Sequence, residues 1–104
     1  MNISVKKLYE MRSKGEKHVL LDVREDEETS LAVIEGALCI PMNSLPDHLD
    51  ELARDCPLVV MCHVGGRSAQ VVSWLLSVGL GNAVNLEGGI AAWSAEIDPS
   101  IPTY

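Results

Sequence analysis

Basic residues are scarce in this chain. Eight Lys and Arg stand against 15 Asp and Glu, for a formal net charge of −7. A domain that binds nucleic acid should be basic, so this balance argues against that class. Cysteine is scarce too, with three residues, at positions 39, 56 and 62. An odd number so widely spaced makes no disulfide framework. No C-x-x-C pair exists for zinc binding or dithiol redox chemistry, so no metal is expected. Such usage fits a reducing cytoplasm. Long hydrophobic runs are missing. The longest mostly apolar stretch, Val71 to Val84, is broken by Ser73, Ser77, Gly79, Gly81 and Asn82, and it is too short to span a bilayer. Met1 to Met11 lacks the apolar centre and small-residue cleavage site of a signal peptide. No internal repeat and no low-complexity linker occur. The expectation is a cytoplasmic protein with neither nucleic-acid nor membrane partners.

What is present suits one globular domain over residues 1–104, with 47% hydrophobic and 22% charged residues. A chain this long buries roughly 60–70% of its unfolded surface, enough for a core without staples. Ser4 precedes a helical pattern in which Val5, Leu8, Tyr9 and Arg12 share a face, and Gly15 can end it. His18 to Val23 reads as a buried strand. The acidic run Glu25 to Glu28 reads as a solvated face or a first helical turn. Ala37 to Met42 reads as a second strand. Asn43 or Ser44 can cap a helix through Arg54, with Leu45, Leu49, Leu52 and Ala53 on one side. Pro57 to Cys62 is an uncharged strand, Ser68 to Val78 a helix, Ala83 to Leu86 a short strand, and Ile90 to Glu96 a helix after Gly88-Gly89. Asp98 to Tyr104 is a proline-punctuated, extended tail. Apolar strands alternating with amphipathic helices argue an α/β fold, a mostly parallel sheet with helices on both faces.

In such folds ligands bind beyond the carboxyl ends of strands, where helices begin. The uncharged strand ends at Met61-Cys62, His63 to Gly66 form a loop, and Arg67-Ser68 open the next helix. A thiol there faces free backbone N–H groups and the positive end of a helix dipole. Both favour thiolate, so the pKa of Cys62 should fall. Gly65 and Gly66 tolerate positive φ and let successive amides point inward as an anion nest. Arg67 is the only Lys or Arg between Asp55 and Tyr104. Together these residues describe a nucleophile in an anion cradle. Cys39 and Cys56 read as small buried hydrophobes instead. His63 reads as a rim residue touching substrate or solvent before it reads as an acid–base group. His18 and His48 read as structural or exposed, and Trp74 and Trp93 as packing residues.

Cys62-His-Val-Gly-Gly-Arg-Ser68, with Leu20-Leu-Asp-Val-Arg24 and Asn85-Leu-Glu-Gly-Gly-Ile-Ala-Ala-Trp93, resembles the single-domain rhodanese family of sulfurtransferases. The resemblance runs from about Ser4 through nearly the whole chain. It implies an α/β fold around about five parallel strands. It also implies transfer of a sulfane sulfur from a donor such as thiosulfate to a thiophilic acceptor, cyanide or a thiol. Cys62 would carry that sulfur as a covalent persulfide, with no separate cofactor. His63, Val64, Gly65, Gly66, Arg67 and Ser68 would bind substrate, with Arg67 on the anionic donor. Asp22 and Arg24 would support the loop, although a purely structural role weighs more. Gly88 and Gly89 read first as turn residues. The partners implied are a small anionic sulfur donor and a thiol acceptor. The tail is similar to that of rhodanese modules fused to ubiquitin-like-activating enzymes, which adds a sulfur-relay protein or thioredoxin. The family often carries Gly-His-Ile-Pro-Gly-Ala where this chain reads Ala32-Val-Ile-Glu-Gly-Ala37, so Val33 and Glu35 bear on donor or partner preference.

Three rivals follow from the same residues. A phosphatase or arsenate reductase of this fold would carry a longer loop than the four residues between Cys62 and Arg67. A non-catalytic interaction module would typically have lost the nucleophile. A redox sensor would need a second cysteine beside Cys62. The net negative charge should repel thiosulfate at long range, so moderate salt should raise or spare its use.

Overall fold

A computed structural model describes residues 1–104. The elements run β1 (Asn2–Ile3), α1 (Val5–Ser13), β2 (Val19–Asp22), α2 (Asp26–Leu31), β3 (Leu38–Cys39), a 3₁₀ helix (Met42–Glu51), β4 (Leu58–Met61), α3 (Gly66–Ser77), β5 (Ala83–Leu86) and α4 (Gly89–Glu96). The five strands form one sheet in the order β1-β5-β4-β2-β3, and every pairing is parallel. The α/β architecture expected from the alternating pattern is therefore the fold.

Strand parity divides the core. Leu58, Val60 and Cys62 face one side of the sheet, where Val71, Val72 and Leu75 of α3 and Leu45 of the 3₁₀ helix pack. Val59 and Met61 face the other side, against Val5, Leu8 and Met11 of α1 and Ile90 and Trp93 of α4. Period-2 alternation in β4 is thus matched by helices above and below, which is why the strand carries no polar residue. The parity also sends Cys62 toward the α3 side as it leaves the sheet.

Local chemistry explains the element ends. The Ser4 hydroxyl accepts from the Lys7 amide at 3.0 Å and caps α1. Met11, not Tyr9, completes the buried face of that helix with Val5 and Leu8, and Tyr9 lies exposed. Arg12 lays its guanidinium over Trp93, 5.8 Å from the ring centroid. The segment after Pro41 forms a 3₁₀ helix where the apolar spacing predicts an α-helix through Arg54. Pro46 lies inside it and offers no N–H, so a regular α-helical ladder is broken there. The strand predicted over Ala37 to Met42 shrinks to two exposed residues at the sheet edge. Cys39 is accordingly exposed, a correction to its reading as a core residue, whereas Cys56 is buried as expected. The pairing of Asn2 and Ile3 with β5 had no sequence signal, because two residues are too few for a period.

Asp22 and Arg24, at the carboxyl end of β2, are both fully buried and paired with each other. Arg24 Nε and Nη2 reach the two carboxylate oxygens at 3.0 and 2.7 Å. Burial alone would lower the pKa of Arg24, but hydrogen bonds with Asp22 and Tyr104 outweigh it and hold the guanidinium charged. Asp22→Ala would leave that charge buried without a partner. It should cost about 3–5 kcal/mol of unfolding free energy in urea titrations. A loss below about 1 kcal/mol would show that the pair is dispensable.

Candidate active site

The three motifs leave the carboxyl ends of three adjacent strands. Asp22 ends β2 and Arg24 lies just beyond it, Cys62 follows the central β4, and Gly88-Gly89 lie just past β5. Segments far apart in the chain therefore meet at the carboxyl end of the sheet.

Cys62 is 1% exposed. Its Sγ receives the Gly65 amide at 3.1 Å and the Ser68 hydroxyl at 3.2 Å. Burial pushes this thiol's pKa up. Hydrogen bonding from the Ser68 hydroxyl and from the backbone amides of Ser68, Gly65 and Val64 overcomes burial, and the pKa falls below its ordinary value. Cys39 moves the opposite way, raised by burial and then by the charge of Asp22. The two thiols are thus shifted in opposite directions.

The loop carbonyls are drawn away from the sulfur. The Ile90 and Ala91 amides, in the first turn of α4, donate to the Cys62 and His63 carbonyls at 3.0 Å each. The Gly65 carbonyl accepts from the Ala69 amide at 3.1 Å, inside α3. Gly65 itself has φ +114°, a left-handed conformation that a side chain strains. Gly66 is different. It is the first residue of α3, has no positive φ, and a Cβ there would meet open space, so the sequence argument for two permissive glycines holds for Gly65 alone. Gly89 carries a constraint that its reading as a turn residue missed. A Cβ on it would lie 2.4 Å from the Cys62 carbonyl oxygen and 2.6 Å from that of His63. Glycine there is what lets α4 dock on the loop.

Arg67 does not stand free above the sulfur. Its Nη1 and Nη2 donate to the two carboxylate oxygens of Glu28 at 2.6 and 2.8 Å. Glu28 also accepts from the Glu25 amide at 3.1 Å and from the Tyr104 hydroxyl at 2.8 Å. Arg67 above all, assisted by Tyr104, holds the Glu28 carboxyl down at about 2. Tyr104 accepts from Arg24 Nη1 at 2.9 Å, and its ring stacks on His63 with centroids 4.0 Å apart. His63 and Val64 sit on the rim, half-buried and exposed respectively. Arg24 further donates to the Ala32 and Glu28 carbonyls of the α2 segment. Asp22 and Arg24 therefore touch the loop only indirectly, through α2, Glu28 and Tyr104. Glu28 and Tyr104 are the site residues that sequence reasoning missed. The acidic run drew attention to position 28 only as solvated charge, and nothing local marks Tyr104, which lies 76 residues from Glu28.

Two substitutions test this geometry. Gly89→Ala should lower stability by roughly 3 kcal/mol, from steric overlap and strained backbone together, whereas Gly66→Ala should leave thermal stability near its original value. Equal effects of the two would refute the close-approach account. Ser68→Ala removes one hydrogen bond to the thiolate. The ultraviolet titration of Cys62 should then move to higher pH; an unchanged midpoint would mean that the amides alone set it.

Comparison with known proteins agrees with this architecture. Across residues 4–96 the chain matches the family model described as Rhodanese-like domain. It is 38% identical to a putative sulfurtransferase, YtwF, of Bacillus subtilis over 97 residues, 93% of each chain. It is 43% identical to the chloroplastic rhodanese-like/PpiC domain-containing protein 12 of Arabidopsis thaliana over 89 residues, 82% of this chain but 30% of that longer relative. The crystal structure of a rhodanese-like domain protein from Staphylococcus aureus superposes with a TM-score of 0.86 at 34% identity, over 100% of this chain and 99% of that one. The chain belongs to the rhodanese-like domain family.

Proposed function

We propose that this protein is a sulfurtransferase that carries a sulfane sulfur as a persulfide on Cys62. The observation that carries the reading is the Cys62 sulfur held by inward amides and the Ser68 hydroxyl at the end of the central strand. The Cys62 thiolate attacks the outer sulfur of a donor. With thiosulfate, the S–S bond of the donor breaks, sulfite leaves with the bonding electrons, and Cys62 keeps the extra sulfur as a persulfide anion. A thiophilic acceptor, cyanide or a thiolate, then takes the outer sulfur and the Cys62 thiolate returns. Both resting and loaded forms are anions, so the same donors stabilise each. Preorganised dipoles of this kind are commonly the largest catalytic contribution.

His63, Val64, Gly65, Gly66, Arg67 and Ser68 line the approach, and Asp22 and Arg24 brace it through α2. Acceptors that suit an open rim include small thiols and the cysteine of a sulfur-relay protein or thioredoxin. No helix is long and apolar enough to cross a membrane, and the thiol chemistry suits a reducing cytoplasm.

The test is intact mass spectrometry after incubation with excess thiosulfate or a thiol persulfide. The wild-type chain should gain the mass of one sulfur atom and lose it on addition of cyanide, and Cys62→Ala should gain nothing. Loss of one cradle hydrogen bond, as in Ser68→Ala, should slow loading by about 10²–10³-fold at most. A sulfur adduct that survives in Cys62→Ala, or no adduct with either compound, overturns the reading.

A further inference from the structure

The cations near Cys62 are all engaged. Arg24 is closed against Asp22, and Arg67 against Glu28. The second pair is over-determined. Each Glu28 carboxylate oxygen accepts two hydrogen bonds, Oε1 from Arg67 and the Glu25 amide, Oε2 from Arg67 and the Tyr104 hydroxyl. Glu28 cannot swing away without breaking the Tyr104 contact, which is tied in turn to Arg24 and to the His63 ring. The two arginines and two carboxylates sum to zero. With the Cys62 thiolate the site carries one net negative charge. No other Lys or Arg lies anywhere from Asp55 to Tyr104, and the whole chain stands at −7.

We propose that Glu28 determines donor specificity: by neutralising Arg67 it turns the site away from dianionic thiosulfate and toward a sulfane sulfur carried on a thiol. This rests on the sulfur-transfer reading above. Thiosulfate must bring two negative charges to a site that already holds one in excess. A protonated thiol persulfide, R–S–SH, brings no charge at the reacting sulfurs. The Cys62 thiolate attacks the outer sulfur, the bond between the two donor sulfurs breaks, and R–S⁻ leaves with the electron pair. Cys62 becomes Cys62–S–SH, whose proton passes through solvent to the departing thiolate, leaving the Cys62 persulfide anion and R–SH. Charge and atoms balance without a further reactant. The carboxyl of Glu28, held near a pKa of about 2, keeps its charge throughout the range in which thiols react.

The side chains of Arg67 and Glu28 are 34% and 18% exposed, so solvent weakens the effect without abolishing it. One uncompensated charge at this depth corresponds to roughly a tenfold change in the rate constant for a charged donor. The experiment measures second-order loading of Cys62 by thiosulfate and by the persulfide of uncharged 2-mercaptoethanol. It uses the full chain, its Glu28→Gln variant and its Glu28→Asp variant, across a range of salt concentrations. Glu28→Gln should raise the ratio of thiosulfate loading to persulfide loading about tenfold. Glu28→Asp, which keeps the charge, should not speed thiosulfate loading. Thiosulfate loading of the wild type should hold or rise with salt, and that of Glu28→Gln should fall, because only the variant presents a free cation. Parallel losses with both donors in Glu28→Gln would make Glu28 merely structural and overturn the proposal. So would a steep fall of wild-type thiosulfate loading with salt, which needs no variant to be seen. If both donors load Cys62 and their ratio ignores Glu28, only the specificity proposal fails. If neither loads, the sulfur-transfer reading fails and takes the proposal with it.

Discussion

The site depends on where the loop's carbonyl oxygens go. In a trans peptide the C=O of one residue and the N–H of the next point in opposite directions. The first turn of α4 has N–H groups with no partner inside the helix. Two of them, from Ile90 and Ala91, take the carbonyls of Cys62 and His63. Turning the His63 carbonyl toward α4 turns the Val64 amide toward the sulfur, where it helps to lower the pKa of Cys62. The helix end and the loop thus satisfy each other's backbone groups, and the outcome is a ring of amides aimed at one atom. A methyl group at position 89 would push the partners apart, which makes one missing Cβ a condition of that ring of amides.

Much of this was legible in the chain because it depends on neighbours in sequence. The uncharged run at Pro57 to Cys62 had to be a covered strand, and Cys62 had to leave it where a helix begins. Ala83 to Leu86 reads as a strand from composition alone and is one, and Ser4 caps the helix it precedes. The unreadable parts depend on distance. Arg67 finds Glu28 across 39 residues, and Arg24 finds Tyr104 across 80. No period or spacing encodes such pairings; they follow from strand order, which sets β2 beside β4 and brings the start of α2 over the loop. Cys39 misled for a related reason. Its apolar neighbours suggest a buried strand, but β3 lies at the sheet edge, and only topology distinguishes an edge from a centre.

Charge in this molecule is arranged by pairing. The buried Asp22–Arg24 contact does more than neutralise itself, because the remaining guanidinium hydrogens hold the Ala32 and Glu28 carbonyls and the Tyr104 hydroxyl. It thereby fixes α2 against β2 and presents Glu28 at the height of Arg67. A hydrophobic pair of equal volume could fill the space, but it could not hold three acceptors from two segments. That is the circumstance in which a buried ion pair specifies geometry, whatever its net contribution to stability.

With both arginines committed to carboxylates, no formal positive charge is left over for the Cys62 sulfur. What lowers its pKa is dipoles, and burial acts in two directions at once. It penalises the anion, which is the largest single influence on Cys62. It also removes the water that would screen the Gly65 amide and the Ser68 hydroxyl, so each hydrogen bond counts for more than it would at the surface. A thiol sealed among aliphatic side chains would feel only the first effect and stay protonated. Neutral dipoles have a further consequence that a fixed cation would not. They stabilise an anion without binding it as a salt, so in the proposed transfer sulfur arrives, changes its bonding partner and leaves without a strong ion pair to break at either step.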